Sequence, residues 1–198
     1  MNCNGRLWVV DKPQVMGIIN TTPDSFYAGS RYTGTDSIME VAEKMIAEGA
    51  SILDIGGQST RPGSTTISDA EEKERVIPAI RALSKAFPQI LLSVDTFRTE
   101  VAKAAVDAGA GIVNDISAGN REIDMISTVA SLKVPYICMH MKGIHETMQQ
   151  EAIYDDVCLE VVDFFIQKTE QCRQAGIKDI IIDPGFGFAK TAEHNFKL

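Results

Sequence analysis

Cysteine, long apolar runs and positive charge are all scarce in this sequence. Its four cysteines (Cys3, Cys138, Cys158 and Cys172) make no CxxC pair and no even framework. That argues against a disulfide-stapled scaffold and fits reduced thiols in a cytosolic protein. No stretch approaches the roughly 20 apolar residues of a membrane-spanning helix. The start, "MNCNGRLWVV", lacks a basic region followed by an apolar run, so no signal peptide and a cytoplasmic location are expected. Lys and Arg number 19 against 27 Asp and Glu, a net charge of −8, with no basic patch. Non-specific nucleic-acid binding is therefore not expected. An anionic substrate would need locally placed cations, and Arg61 and Lys190 are the candidates.

What is present is ordinary globular composition, 44 % hydrophobic and 23 % charged over 198 residues, which suits one domain spanning residues 1–198. Gly5 to Ile19 reads as a hairpin leading into a buried first strand. From there the chain alternates. Apolar residues Ile38, Ala42, Met45 and Ile46 recur at helical spacing and stop at Gly49, before the short run "SILDIGG". Ser68 and Glu71 stand at capping-box spacing ahead of a stripe of Val76, Ile77, Ile80 and Leu83, with Pro78 expected to bend or break that helix. Strand "ILLSVDT", helix "RTEVAKAAVDAG", strand "GIVNDIS", helix "EIDMISTVASL", strand "VPYICMH", a helix from about Tyr154 to Ala175 and strand "DIIIDPGFGF" follow. A weak echo of helix end, glycine, strand and aspartate recurs in "AEGASILDIGG", "DAGAGIVNDIS" and "QAGIKDIIIDPG".

Buried strands separated by helices imply a parallel α/β sheet with right-handed crossovers. "GIINTTPDS" has no GxGxxG, which removes the dinucleotide fingerprint of an open doubly wound sheet. Polar residues recur at every strand's C-terminal end: Asn20; Asp54; Asp95 with Thr96; Asn114 with Asp115; His140 after Met139; and Asp183. A (β/α)8 barrel gathers all such ends into one mouth, so a TIM-barrel type with about six of eight units is expected. Each Asp or Asn alone is also an ordinary helix cap or turn residue. Together, carboxylates in a low-dielectric mouth need donor partners, and a flat heterocycle rich in N–H groups would supply them. His140 and His145 lack a third ligand and are read as loop histidines. Tyr154, Val157, Val161, Phe164 and Phe165 form a helical core stripe.

"MGIINTTPDSF", "DIGGQSTRPG", "SVDTFR", "VNDISAG", "MHMKG" and "DPGFGFAKT" resemble, in order and spacing, the signature blocks of dihydropteroate synthases, from about Val15 to Asn195. The resemblance implies a (β/α)8 barrel that joins (7,8-dihydropterin-6-yl)methyl diphosphate to 4-aminobenzoate, giving dihydropteroate and diphosphate in folate synthesis. It implies a magnesium-dependent, sulfonamide-targeted transferase and a family homodimer whose usual contacts, on the final helices, are expected to be missing here. Asp95, Asn114 and Asp183 match the family's pterin-binding positions, with Ile116 and Met139 as apolar walls. Asn20 matches the Mg2+ ligand. Asp24, Ser25 and Phe26 match a first loop, with Asp24 placed to stabilise the pterin methylene cation. Thr60 and Arg61 match a second loop near diphosphate and aminobenzoate, Arg61 acting on an anionic oxygen. Phe26, Pro62 and Phe188 match the slot for the aminobenzoate ring.

The family's Ser-Arg-Lys and Arg-x-His blocks find no match before Leu198, so strands seven and eight are expected to be absent here. Gln58 stands where glutamate is frequent, and Ala189 where glycine is, which predicts a backbone without a positive φ at 189. The competing readings are a folate-binding methyltransferase of the same barrel type and a non-catalytic pterin-binding fragment.

Overall fold

The computed structural model describes residues 1–22, 34–58, 66–143, 148 and 150–198. A small antiparallel hairpin, β1 (Asn2–Cys3) with β2 (Arg6–Leu7), opens the chain. Six parallel strands follow in chain order: β3 (Met16–Asn20), β4 (Ile52–Gly56), β5 (Leu91–Asp95), β6 (Ile112–Asp115), β7 (Tyr136–Met139) and β8 (Ile180–Asp183). Between them run α1 (Gly34–Ala47), α2 (Asp69–Ala86), α3 (Thr99–Ala108), α4 (Met125–Leu132) and α5 (Val157–Ala175), with the short α6 (Ala192–Lys197) after β8. The sheet order equals the sequence order, which is the topology of a barrel wall rather than of a doubly wound sheet.

The period of two along each strand divides the apolar residues between two cores. Ile19, Leu53, Ile55, Leu92, Val94 and Val113 face outward into the main core under the helices. Ile52, Leu91, Ile112 and Ile137 face inward, where Cys3 of the hairpin packs on them with Met1, Trp8 and Met16. The hairpin thus closes the N-terminal end of the inner space. Gly111 admits this approach, since a Cβ there would stand 2.8 Å from Leu91 Cδ1 and 3.2 Å from Cys3 Cβ.

Three expectations change. The hairpin lies within Asn2–Leu7, not across Gly5 to Ile19, and β3 is only partly buried. Ile18 is exposed because β3 is an edge of the sheet among the described residues. Helix α2 runs unbroken through Pro78. Pro78 and Glu74, whose carbonyl loses its donor, both lie on the exposed face, where water replaces the missing N–H. Half of the predicted capping box of α2 is in place: Ser68 Oγ accepts from Glu71 N at 3.2 Å, while the Glu71 carboxylate pairs with Arg75. All four cysteines are free thiols.

Candidate active site

Parallel register brings the strand ends into one row. Asn20 pairs with Gly56, Gly56 with Asp95, and Asp95 with Asn114 across β3 to β6. These positions share the inward face with Ile52, Leu91 and Ile112, at the opposite end from the hairpin. Met139 and Asp183 form a second in-register pair on β7 and β8, and Ile116 lies in the turn that follows β6. Of the predicted residues, Asn20, Asp95, Asn114, Ile116, Met139 and Asp183 therefore gather at one mouth. Ile116 and Met139 are buried. Phe188 lies in the loop after β8. Asp24, Ser25, Phe26, Thr60, Arg61, Pro62 and His145 lie outside the described residues.

Beneath the row sits a polar layer. Asp54 on β4 is buried, and its Oδ2 accepts from Asn114 Nδ2 at 2.8 Å. That bond fixes Asn114's amide, leaving Asn114 Oδ1 buried without a partner among the described residues. Asp54 Oδ1 is likewise unpartnered, and Ser93, in register with Asp54, lies close by without reaching hydrogen-bond geometry. Burial raises the Asp54 carboxyl, opposed by the Ser93 and Asn114 donors. Asp95 is raised well above the usual carboxylate range by burial first, then by the charges of Asp54, Glu72 and Asp115. Buried acceptors that lack donors, beside carboxyls raised by burial, mark this end of the sheet as a candidate functional site.

Gly56 leaves a gap in the row. A Cβ there would stand 3.4 Å from Asp95 Oδ2 and 3.6 Å from Asn20 Oδ1, so both oxygens border the same space. Hard oxygen donors of this kind suit Mg2+, which keeps most of its shell as water or substrate oxygen. Among the described residues no cluster of three His, Cys, Asp or Glu side chains could hold a metal by itself.

Two strand-end residues do other work. Asp115 faces outward and is fully buried, accepting from Ser117 N and Oγ at 2.7 Å, Gly119 N at 2.8 Å and Tyr136 OH at 2.7 Å. It is a turn-former, the bland reading of such a residue. Lys190 is no free cation for an anionic ligand. Its ammonium is buried against His140 Nδ1 at 2.9 Å and the carbonyls of Gly185, Phe188 and His140 at 3.1, 3.1 and 3.3 Å. Burial lowers it to about 8, with Asp183's charge opposing. Burial also lowers His140 to about 4, Lys190's charge adding to the effect. Ala189 adopts φ 49, against the expectation, because the left-handed turn there returns Lys190 into this cage.

Sequence reading did not separate Asp54 from the other strand ends and missed Ser93. The alternation Leu91, Ser93, Asp95 carries the signal, since a polar residue two before a site residue shares its face. It also missed the buried Glu72–Arg98 pair, which joins α2 to the segment after β5, with Arg98 Nε 2.8 Å from Asp69 Oδ1 and Arg98 Nη2 donating to Ile67 O.

Residues 16–198 match the family described as pterin binding enzyme. The dihydropteroate synthase of Streptococcus pyogenes is 43 % identical over 98 % of this chain and 71 % of its own length. The chain belongs to the dihydropteroate synthase family. A second family member, from Synechocystis sp., is 47 % identical over 93 % of this chain and 64 % of its own. The solved dihydropteroate synthase of Xanthomonas albilineans with 4-aminobenzoic acid superimposes with a TM-score of 0.90 at 43 % identity, covering 99 % of this chain and 70 % of that one. The same species' enzyme in complex with 7,8-dihydropteroate gives 0.86 at 40 %, over 99 % and 69 % of the two chains. The chain thus spans about two thirds of the length of the dihydropteroate synthases it matches. Family membership makes it a transferase-class chain of folate synthesis with a barrel-type fold, as its motifs predicted. Among the described residues no helix is long and apolar enough to cross a membrane.

Proposed function

We propose that this chain holds a dihydropterin on the inner row of its strands and serves the condensation of (7,8-dihydropterin-6-yl)methyl diphosphate with 4-aminobenzoate. The observation that carries the reading is the Asp54–Asn114 bond beside Asp95. It leaves a fixed amide oxygen next to a carboxylate, both short of donors, on an apolar-walled face. A pterin's amino group and ring N–H form a paired donor edge that one carboxylate accepts side by side. Asp95, Asn114 and Asp183 would take that edge and its neighbours, with Ile116 and Met139 against the ring faces. The complexes of the X. albilineans enzyme with 4-aminobenzoic acid and with 7,8-dihydropteroate support the same substrates here.

In the reaction, the methylene C–O bond breaks and its electron pair leaves on diphosphate. The amine nitrogen then bonds to that carbon and loses a proton. Asp24 would stabilise the cationic pterin methylene, and Ser25, Thr60 and Arg61 would hold diphosphate and aminobenzoate. Phe26, Pro62 and Phe188 would clasp the aminobenzoate ring. Mg2+, when bound, offsets diphosphate charge. Asn20 Oδ1, at the Gly56 gap, would hold it.

Thermal unfolding with and without the dihydropterin diphosphate and Mg2+ tests the binding. A ligand at 100 times its Kd should stabilise the chain by about 2.7 kcal/mol. Diphosphate release on adding 4-aminobenzoate tests the reaction. A cooperative transition indifferent to the ligand would refute the pterin site.

A further inference from the structure

Three of the mouth's residues sit on or beside loops that Lys190 ties together. Met139 precedes His140, Asp183 ends β8, and Phe188 lies in the loop that follows β8. The Lys190 ammonium reaches His140 O on the β7 side, and Gly185 O and Phe188 O on the β8 side. Its fourth neighbour, His140 Nδ1, must accept, which assigns the imidazole proton to Nε2. The imidazole is locked in turn, edge-on to Phe164 with ring centroids 4.8 Å apart. Tyr154 OH closes the outer side by donating to Ala189 O at 2.9 Å.

The two loops meet at backbone distance. A Cβ on Gly185 would stand 2.1 Å from His140 O, and Gly185 has φ 69, so only glycine fits. Gly185 N donates to Asp183 Oδ1 at 2.8 Å, which sets that carboxylate's rotation. A displacement of Gly185 would therefore turn Asp183.

We propose that Lys190 is a positioning residue of the pterin site: its buried ammonium clamps the β7 and β8 exits and thereby sets Asp183, Met139 and Phe188. The proposal rests on the pterin reading for its functional consequence, while the clamp itself stands on geometry. Removing the ammonium leaves His140 O, Phe188 O and a ring nitrogen without their buried donor, while Gly185 O keeps only Phe188 N, and the loops must move to rehydrate them.

The test compares the wild-type chain with Lys190→Met and Lys190→Arg. The imidazole 15N shifts of His140 and amide exchange at Gly185 and Gly187 are measured alongside the Kd of the dihydropterin diphosphate with Mg2+. In Lys190→Met, His140 should titrate higher by the part that Lys190's charge contributes, burial keeping the rest of the lowering, and both glycine amides should exchange at least tenfold faster. The pterin Kd should rise at least tenfold. A folded Lys190→Met with unchanged exchange or unchanged Kd overturns the proposal. If Lys190→Met does not fold, the wild type and Lys190→Arg decide. Slowly exchanging ammonium protons on Lys190, an accepting His140 Nδ1 and weakened binding in Lys190→Arg sustain the clamp; a freely exchanging ammonium or unaltered binding overturns it. A wild-type chain that binds no pterin refutes the functional reading, and the exchange and imidazole signals then judge the clamp alone.

Discussion

Asn114 Nδ2 donates to Asp54 Oδ2 at 2.8 Å, joining β6 to β4 across the intervening β5 although the residues lie 60 apart in sequence. Amide orientation is otherwise a free choice of two, and this bond makes it. The buried end of the amide is therefore an acceptor oxygen rather than a second donor.

Asp54→Ala should accordingly weaken pterin binding about tenfold, roughly 1.4 kcal/mol, by freeing the Asn114 amide. Asp54→Asn keeps an acceptor at the same place and should retain most of the affinity. Titration of the dihydropterin diphosphate into both variants checks the pair. Equal loss in both would mean that charge, not orientation, is what Asp54 supplies.

Burial and three neighbouring carboxylates disfavour the charged form of Asp95, so stability and binding should oppose each other there. Its raised folded pKa means the native state holds the proton longer than the unfolded chain. Its contribution to stability is therefore present at low pH and lost as pH rises through the folded value. Asp95→Asn should raise the melting temperature at pH 7 and weaken pterin binding a hundredfold or more. Calorimetry in two buffers of different ionisation enthalpy should also show protons released when wild type binds, and fewer in the variant.

Glu72 and Arg98 are both buried and paired, and Glu72's carboxyl is raised by burial against the Thr96 and Arg98 donors. Arg98→Leu strands Glu72 and should cost about 3 kcal/mol of stability. The double variant Glu72→Leu with Arg98→Leu should recover much of it. Denaturant midpoints measure the coupling.

His140, lowered to about 4 from an ordinary 6.5, is buried neutral. Between those values the unfolded chain binds the proton and the native state does not, so stability falls as pH drops from about 6.5 toward 4. The loss is on the order of 3 kcal/mol. His140→Asn, which keeps an acceptor near Lys190, should flatten that slope in urea titrations at successive pH values.

Gly185→Ala adds both a left-handed strain and a contact with His140 O. It should destabilise the chain by at least about 2 kcal/mol and abolish measurable pterin binding. Gly187→Ala is the comparison: its φ is 84 but nothing lies within 4 Å of its Cβ position, so only the smaller strain cost is expected.

Local pattern by itself determined the alternation of strands and helices, the caps at Ser68 and the parallel sheet in sequence order. Hydrophobic period and capping chemistry act within a few residues and are written in the chain. The row Asn20, Asp95, Asn114 was legible too, because polar residues ending successive strands must meet if the strands run parallel. Facing was less legible. Asp115 differs from Asn114 by one position, and the pleat sends it outward into a turn. Tertiary structure alone decided which amide bonds which carboxylate, that Lys190 is spent on backbone carbonyls, and that Ala189 accepts a left-handed turn to bring it there. Those outcomes depend on contacts between β7 and β8 loops some 50 residues apart, which no local preference encodes. Sequence period sets which residues a strand can present; packing and desolvation decide which of them remain free for a ligand.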